Sequence, residues 1–158
     1  MKNCIIKIIC TFSIIMLFTF LIYIGISNFS NTEVEAASKA SGTSDLQLIA
    51  RAINGEARGE IYEGQVAVGA VILNRVKDSK FPNTIAGVIY QSGAFDVVKD
   101  GQINLTPDST AKKAAQDALN GWDPSYGAIY YFNPSTATNK WIWSRPMTVT
   151  IGRHRFCK

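Results

Sequence analysis

The sequence predicts an α+β domain, with helices first and a small antiparallel sheet last, behind an N-terminal segment that stands outside the fold. Three observations predict it. The stretch from Ser44 to Leu119 carries apolar residues at helical spacing, Ala128 to Phe156 is aromatic and β-prone, and Ile8 to Ile26 is almost wholly apolar.

Taken in order, Lys2 and Lys7 form a short basic start to the apolar run, and Val34-Glu35-Ala36 places small residues where a signal peptidase cuts. Residues 1–36 therefore read as a signal peptide. Because the run approaches the roughly 20 residues that span a bilayer, an uncleaved N-terminal anchor is the alternative. Either reading exports the remainder to the outer side of the membrane, and membrane contact is expected only through this segment. Residues 37–44 are small and polar and read as a linker; residues 45–158 form the domain. With residues 1–36 removed, 14 Lys and Arg stand against 10 Asp and Glu, so the net charge stays at +4. That mild excess suits an anionic envelope, but it is too dispersed to indicate nucleic acid. Cys4 and Cys10 leave with the signal, and Cys157 is then a lone thiol without an internal disulfide.

Ser44 to Glu60 reads as one amphipathic helix. Leu46, Ile49, Ala50 and Ile53 make its apolar stripe, and Ser44 with Gln47 suggests a capping box. Glu56 comes seven residues after Ile49, which places it within about 20° of the same face; the alternative is a surface residue near a fraying helix end, with Gly59 as the stop signal. A carboxyl group among apolar side chains loses hydration and favours its protonated form, as a general acid must. Gly55 and Gly59 flank it and allow close approach to the backbone. Gly64 to Lys77 is apolar nearly all round and reads as a buried central helix after a turn at Ile61–Glu63. Asn83 is placed to cap a third helix through Gln91. Asp100-Gly101 between apolar residues reads as a hairpin. Thr106-Pro107 opens a further helix that stops at Gly121. Ala128–Phe132, Lys140–Trp143 and Met147–Phe156 read as three strands, with Trp141 and Trp143 on one face, either as core or as an exposed platform.

Metal catalysis is not expected, since His154 is the only histidine and zinc sites need several His or Cys ligands at set spacings. No cofactor motif is present. His154 and Cys157 are three apart and face opposite sides of a strand, which removes Cys-His catalysis. Ser109 and Lys112 match an S-x-x-K pattern without its companion motifs. Carboxylates remain: Glu56 first, Glu60 four residues on and also able to face a cleft, then Glu63 and Asp96. Glycoside cleavage normally uses two carboxyl groups on opposite sides of the bond, and the second role stays open. The late aromatic cluster, Trp122 to Trp143, suits either sugar rings or a core.

The blocks LIARAINGEARGEIYEGQVAVGAVILNRV, FPNTIAGVIYQSGAF, AAQDALNGWDP, YYFNP, KWIWSR and IGRHRF occur in this order between Leu46 and Phe156. Together they resemble the cell-wall hydrolase family of spore cortex-lytic enzymes, the SleB/CwlJ type. The resemblance implies a lysozyme-like α+β domain acting on peptidoglycan glycan strands, with Glu56, the first Glu of the E-A-x-G-E block, as catalytic acid/base. It further implies a lytic transglycosylase, which cleaves between N-acetylmuramic acid and N-acetylglucosamine with one protein carboxyl group and leaves a 1,6-anhydro end. A hydrolytic muramidase or glucosaminidase and a non-catalytic envelope-binding module are the alternatives. Glu60, Gln65, Phe95, Tyr131 and Asn133 match family positions and are expected to line the substrate cleft. His154 also matches, and is expected to be a satisfied structural histidine.

Overall fold

The computed structural model describes residues 44–158; the signal or anchor reading of residues 1–36 and the linker reading of residues 37–43 lie outside them. Among the described residues no helix is long and apolar enough to cross a membrane. Helix α1 covers residues 44–57 of the described chain. It is followed by α2 (Tyr62–Lys77), α3 (Ile85–Ile89), α4 (Asp96–Lys99), a 3₁₀ turn (Gln102–Asn104), α5 (Ser109–Leu119), β1 (Tyr130–Phe132), α6 (Lys140–Trp143), β2 (Met147–Ile151) and β3 (His154–Cys157). The strands make one antiparallel sheet in the order β1-β3-β2. This is the expected α+β arrangement.

The apolar run of α2 becomes the central helix. Val66, Ala67, Val68, Val71 and Ile72 are completely buried, between the stripe of α1 (Ile49, Ala50, Ile53) and the alanine face of α5 (Ala111, Ala114, Ala115, Ala118). Small residues set the spacing: a Cβ at Gly69 would sit 3.0 Å from Ile53 Cδ1 and 3.1 Å from Ala118 Cβ. Burying side chains of this kind contributes about 1.5–3 kcal/mol each for Val, Leu or Ile.

Local boundaries differ from the sequence expectation in ways the side chains explain. Ser44 is already helical, further in than a cap, and α1 ends at residue 57, three short of Glu60. Helix α2 starts at Tyr62, inside the expected turn. Thr84, not Asn83, caps α3 by accepting from the Gly87 N–H at 3.0 Å. Asp108, two residues after Thr106, caps α5 by accepting from the Ala111 N–H at 2.7 Å.

Asp100-Gly101 makes no hairpin. Gly101, at φ +80°, separates α4 from the 3₁₀ turn, and Asp100 Oδ1 accepts from the Gln102 N–H, so the apolar flanks Val97 and Ile103 are buried by two short helical turns. Lys140–Trp143 is not a strand either. Asn139 caps it as α6 by accepting from the Trp141 N–H at 3.0 Å. Both tryptophans pack against one face of β1, Trp141 on Tyr130 and Trp143 on Phe132, yet stay 49% and 46% exposed rather than entering the core. The expected single strand Met147–Phe156 is instead the hairpin β2–β3, closed by the two-residue turn Gly152-Arg153 between the paired Ile151 and His154.

Candidate active site

The seventh residue after Ile49 does what its position demands. Glu56 sits in the last turn of α1, and both carboxyl oxygens are held from outside the helix. Oε1 accepts from the Val97 N–H at 3.1 Å, and Oε2 accepts from the Tyr131 hydroxyl at 3.0 Å. Gly55 makes the first contact possible: a Cβ there would lie 2.8 Å from Val97 Cβ and closer still to Val97 Cγ1. No side chain is admissible at that place without moving α4. Burial raises the carboxyl pKa above its ordinary value. The Val97 N–H and Tyr131 hydroxyl pull it back by stabilising the anion, and the Asp96 charge pushes it up again. The net shift is upward, which favours the protonated acid.

An open cleft of about 620 Å³ lies against this carboxyl group. Phe95 and Asp96 line it from the start of α4, Tyr131 and Asn133 from the end of β1, and residues 136–139 with Ile142 from the α6 segment. Three of the five expected substrate residues, Phe95, Tyr131 and Asn133, thus come together around Glu56. Tyr131 is engaged with the acid itself, while Asn133 also shapes its wall by accepting from the Ser135 N–H through Oδ1.

Glu60 and Gln65 do not line this cleft. The loss of helix after residue 57 turns Glu60 away, so the expectation that Glu56 and Glu60 share a helical face fails. The Glu60 side chain, 4% exposed, pairs with Arg153 at 2.7 Å and also accepts from the Arg153 backbone N–H at 2.9 Å. Burial works against its charge, but the Arg153 N–H and guanidinium outweigh it, and the Glu60 pKa lies below the ordinary carboxyl value. Glu60 therefore clamps the β2–β3 turn to the end of α1. Gln65 is buried in α2, donating to the Glu60 carbonyl at 3.2 Å, and its Oε1 has no hydrogen-bond partner among the described residues.

Two cleft residues escape the sequence reading. Arg75, on α2, is 7% exposed and lines the cleft. Its Nε donates to the Ile129 carbonyl at 2.7 Å, and its guanidinium lies 5.0–5.7 Å from the rings of Phe95, Phe81 and Tyr130. An arginine inside an otherwise apolar helix is the available signal, since arginine is rarely buried without a specific partner. His154, expected to be satisfied, is not. It lines the cleft, 5.2 Å from the Tyr131 ring, and its buried Nδ1 has no partner among the described residues; desolvation lowers its pKa. No group of His, Cys, Asp and Glu among the described residues is arranged to hold a metal ion.

Fold and site define an α+β domain built around one desolvated carboxyl group in an open cleft. The chain belongs to the Cell Wall Hydrolase family, whose model matches residues 59–157. It is 64% identical over 114 residues to a spore cortex-lytic enzyme of Bacillus cereus, an alignment that covers 72% of this chain and 44% of that protein. Two solved structures share the fold at 63% identity. The catalytic domain of Bacillus cereus SleB has a TM-score of 0.71, covering 73% of this chain and 91% of that one. The catalytic domain of the germination-specific lytic transglycosylase SleB from Bacillus anthracis has a TM-score of 0.70, covering 72% and 93%. The chain spans less than half the length of the spore cortex-lytic enzymes it matches.

Proposed function

We propose that this protein degrades peptidoglycan as a lytic transglycosylase, cutting between N-acetylmuramic acid and N-acetylglucosamine with Glu56 as its acid/base. The observation that carries this reading is the single protonation-prone carboxyl group held by Val97 and Tyr131 in the cleft. Kinship with cortex-lytic proteins supports the substrate class. Likeness to the Bacillus anthracis lytic transglycosylase supports the reaction type.

The steps balance with one carboxyl group. Glu56 gives its proton to the glycosidic oxygen as the bond to the anomeric carbon breaks. The resulting Glu56 carboxylate, steadied by the Val97 N–H and the Tyr131 hydroxyl, then takes the proton of the sugar's own 6-hydroxyl while that oxygen attacks the anomeric carbon. The products are a free 4-hydroxyl and a 1,6-anhydro ring, and Glu56 ends protonated. Residues 45–158 are the catalytic unit in this reading, exported by residues 1–36 acting as signal or anchor, with spore cortex during germination as the target.

Asp96 favours a second reading, because it supplies another carboxyl group in the same cleft. A hydrolase would use it to activate water and would leave reducing ends. Mass spectrometry of the muropeptides released from purified cortex distinguishes them. Anhydromuramic ends are expected; reducing ends alone would make the protein a hydrolase, and no release at all would overturn the enzymatic reading.

A further inference from the structure

Charge is divided unevenly along the described chain. Residues 44–123 hold ten Asp and Glu against eight Lys and Arg, whereas residues 124–158 hold five Lys and Arg and no acid at all. Of those five, Arg153 is paired with Glu60, and that is the one ion pair among the described residues. Arg145 and Arg155 are instead held on aromatic faces. The Arg145 guanidinium lies 5.2 Å from the Trp141 ring and 5.5 Å from Tyr130, and the Arg155 guanidinium lies 5.3 Å from Trp143. The Arg145 Nε is buried and has no hydrogen-bond partner among the described residues, so any external carboxylate would have to meet the terminal nitrogens.

Stacking of this kind orients a guanidinium while leaving edge N–H groups available for a carboxylate, and it lowers the entropy lost when one binds. The ledge is continuous with the cleft: Asn139 and Ile142, in the same α6 segment as the two tryptophans, line it. A polymer lying in the cleft therefore passes onto a surface that pairs flat exposed rings with unneutralised cations.

We propose that this α6 ledge, with Arg145 and Arg155 as its anchors, binds the carboxylates of the peptide stems borne by the same glycan strand that occupies the cleft. Its Trp141 and Trp143 rings provide the contact surface for the strand between them. The inference rests on the peptidoglycan reading and names which part of that polymer is recognised outside the cleft. It makes stem-bearing strands better ligands than bare or neutralised ones.

Binding is measured without cleavage, by co-sedimenting Glu56→Gln protein with purified peptidoglycan freed of accessory polymers, and with the same material after its stem carboxylates are converted to neutral amides. Neutralising the stems is expected to weaken binding roughly tenfold, the worth of one charge-assisted pair. Adding Arg145→Gln and Arg155→Gln is expected to produce a similar loss on the native polymer and little further loss on the amidated one. The parent protein needs no ledge substitution to fold, so equal binding of the two polymers by it overturns the proposal directly. So does an unchanged affinity of the double variant for native polymer, or an equal loss on both polymers. If binding depends on the stems but intact protein releases no muropeptides, the ledge stands and the catalytic reading falls.

Discussion

Two glutamates four residues apart receive opposite treatment. Glu56, in the last turn of α1, meets a backbone N–H, a hydroxyl and apolar surface, and is pushed toward its neutral form. Glu60, past the end of the helix, meets a guanidinium and a second backbone N–H, and is held as an anion. Burial acts on both. The balance differs: at Glu56 desolvation, aided by the Asp96 charge, outweighs the Val97 N–H and the Tyr131 hydroxyl, whereas at Glu60 the Arg153 backbone N–H and then its guanidinium outweigh desolvation. One site is thereby prepared for proton transfer and the other for joining the sheet to the helices.

The strongest contrast is expected in activity. Glu56→Gln should lower muropeptide release from cortex by roughly 10³-fold or more while circular dichroism stays native, because it removes the carboxyl group assigned to give the proton. Glu60→Gln should leave release within about threefold, since a clamp acts on stability rather than on the reacting bond. Activity loss in the second variant matching that in the first would erase the distinction.

Tyr131→Phe sharpens it. Removing the hydroxyl takes a donor from the Glu56 carboxylate, so the Glu56 pKa rises. The alkaline limb of the pH–rate profile, where the acid loses its proton, should move to higher pH. The rate on the plateau should fall about tenfold, because the carboxylate formed in the first step is less well stabilised. A limb that stays put or moves downward would show that Tyr131 does not tune this acid.

Stability separates the two positions in the opposite sense. Arg153→Gln takes the cation from the Glu60 carboxylate but keeps the backbone N–H bond, and a loss of about 1 kcal/mol or less is expected at neutral pH in chemical denaturation. The folded pKa of Glu60 is depressed, so its contribution is present above the unfolded value and is lost as pH falls through the folded one. The deficit of the variant should therefore shrink as the solution is acidified. Glu56 behaves the other way. Its folded pKa is raised, so its contribution is present below the unfolded value and is lost as pH rises through the folded one. Glu56→Gln should then be slightly more stable than wild type at neutral pH, with the advantage vanishing as the solution is acidified below the ordinary carboxyl range.

Much of this is readable from the chain. The helical half is legible because 3.6-residue periodicity reports burial directly, and Glu56 emerges by extending the stripe of Ile49 and Ile53. The aromatic tail is not. Trp-Ile-Trp alternates like a strand, but Asn139 before it and Ser144 after it close a single helical turn, and side-chain capping outweighs a three-residue pattern. Glu60 is misplaced because the helical periodicity carries the expectation past Gly59, the one stop signal in E-A-R-G-E, whereas the helix ends at residue 57. Its partner, Arg153, lies 93 residues away, and only tertiary structure joins them. Arg75 and His154 share that reason: their surroundings come from elements distant in sequence.

The opposed protonation of the two glutamates is tested most directly by following their side-chain carboxyl ¹³C resonances in the folded domain across pH. Glu56 should titrate above the ordinary glutamate value and Glu60 below it. Coincident midpoints, or Glu60 titrating above Glu56, would contradict the assignment of the first as acid and the second as clamp.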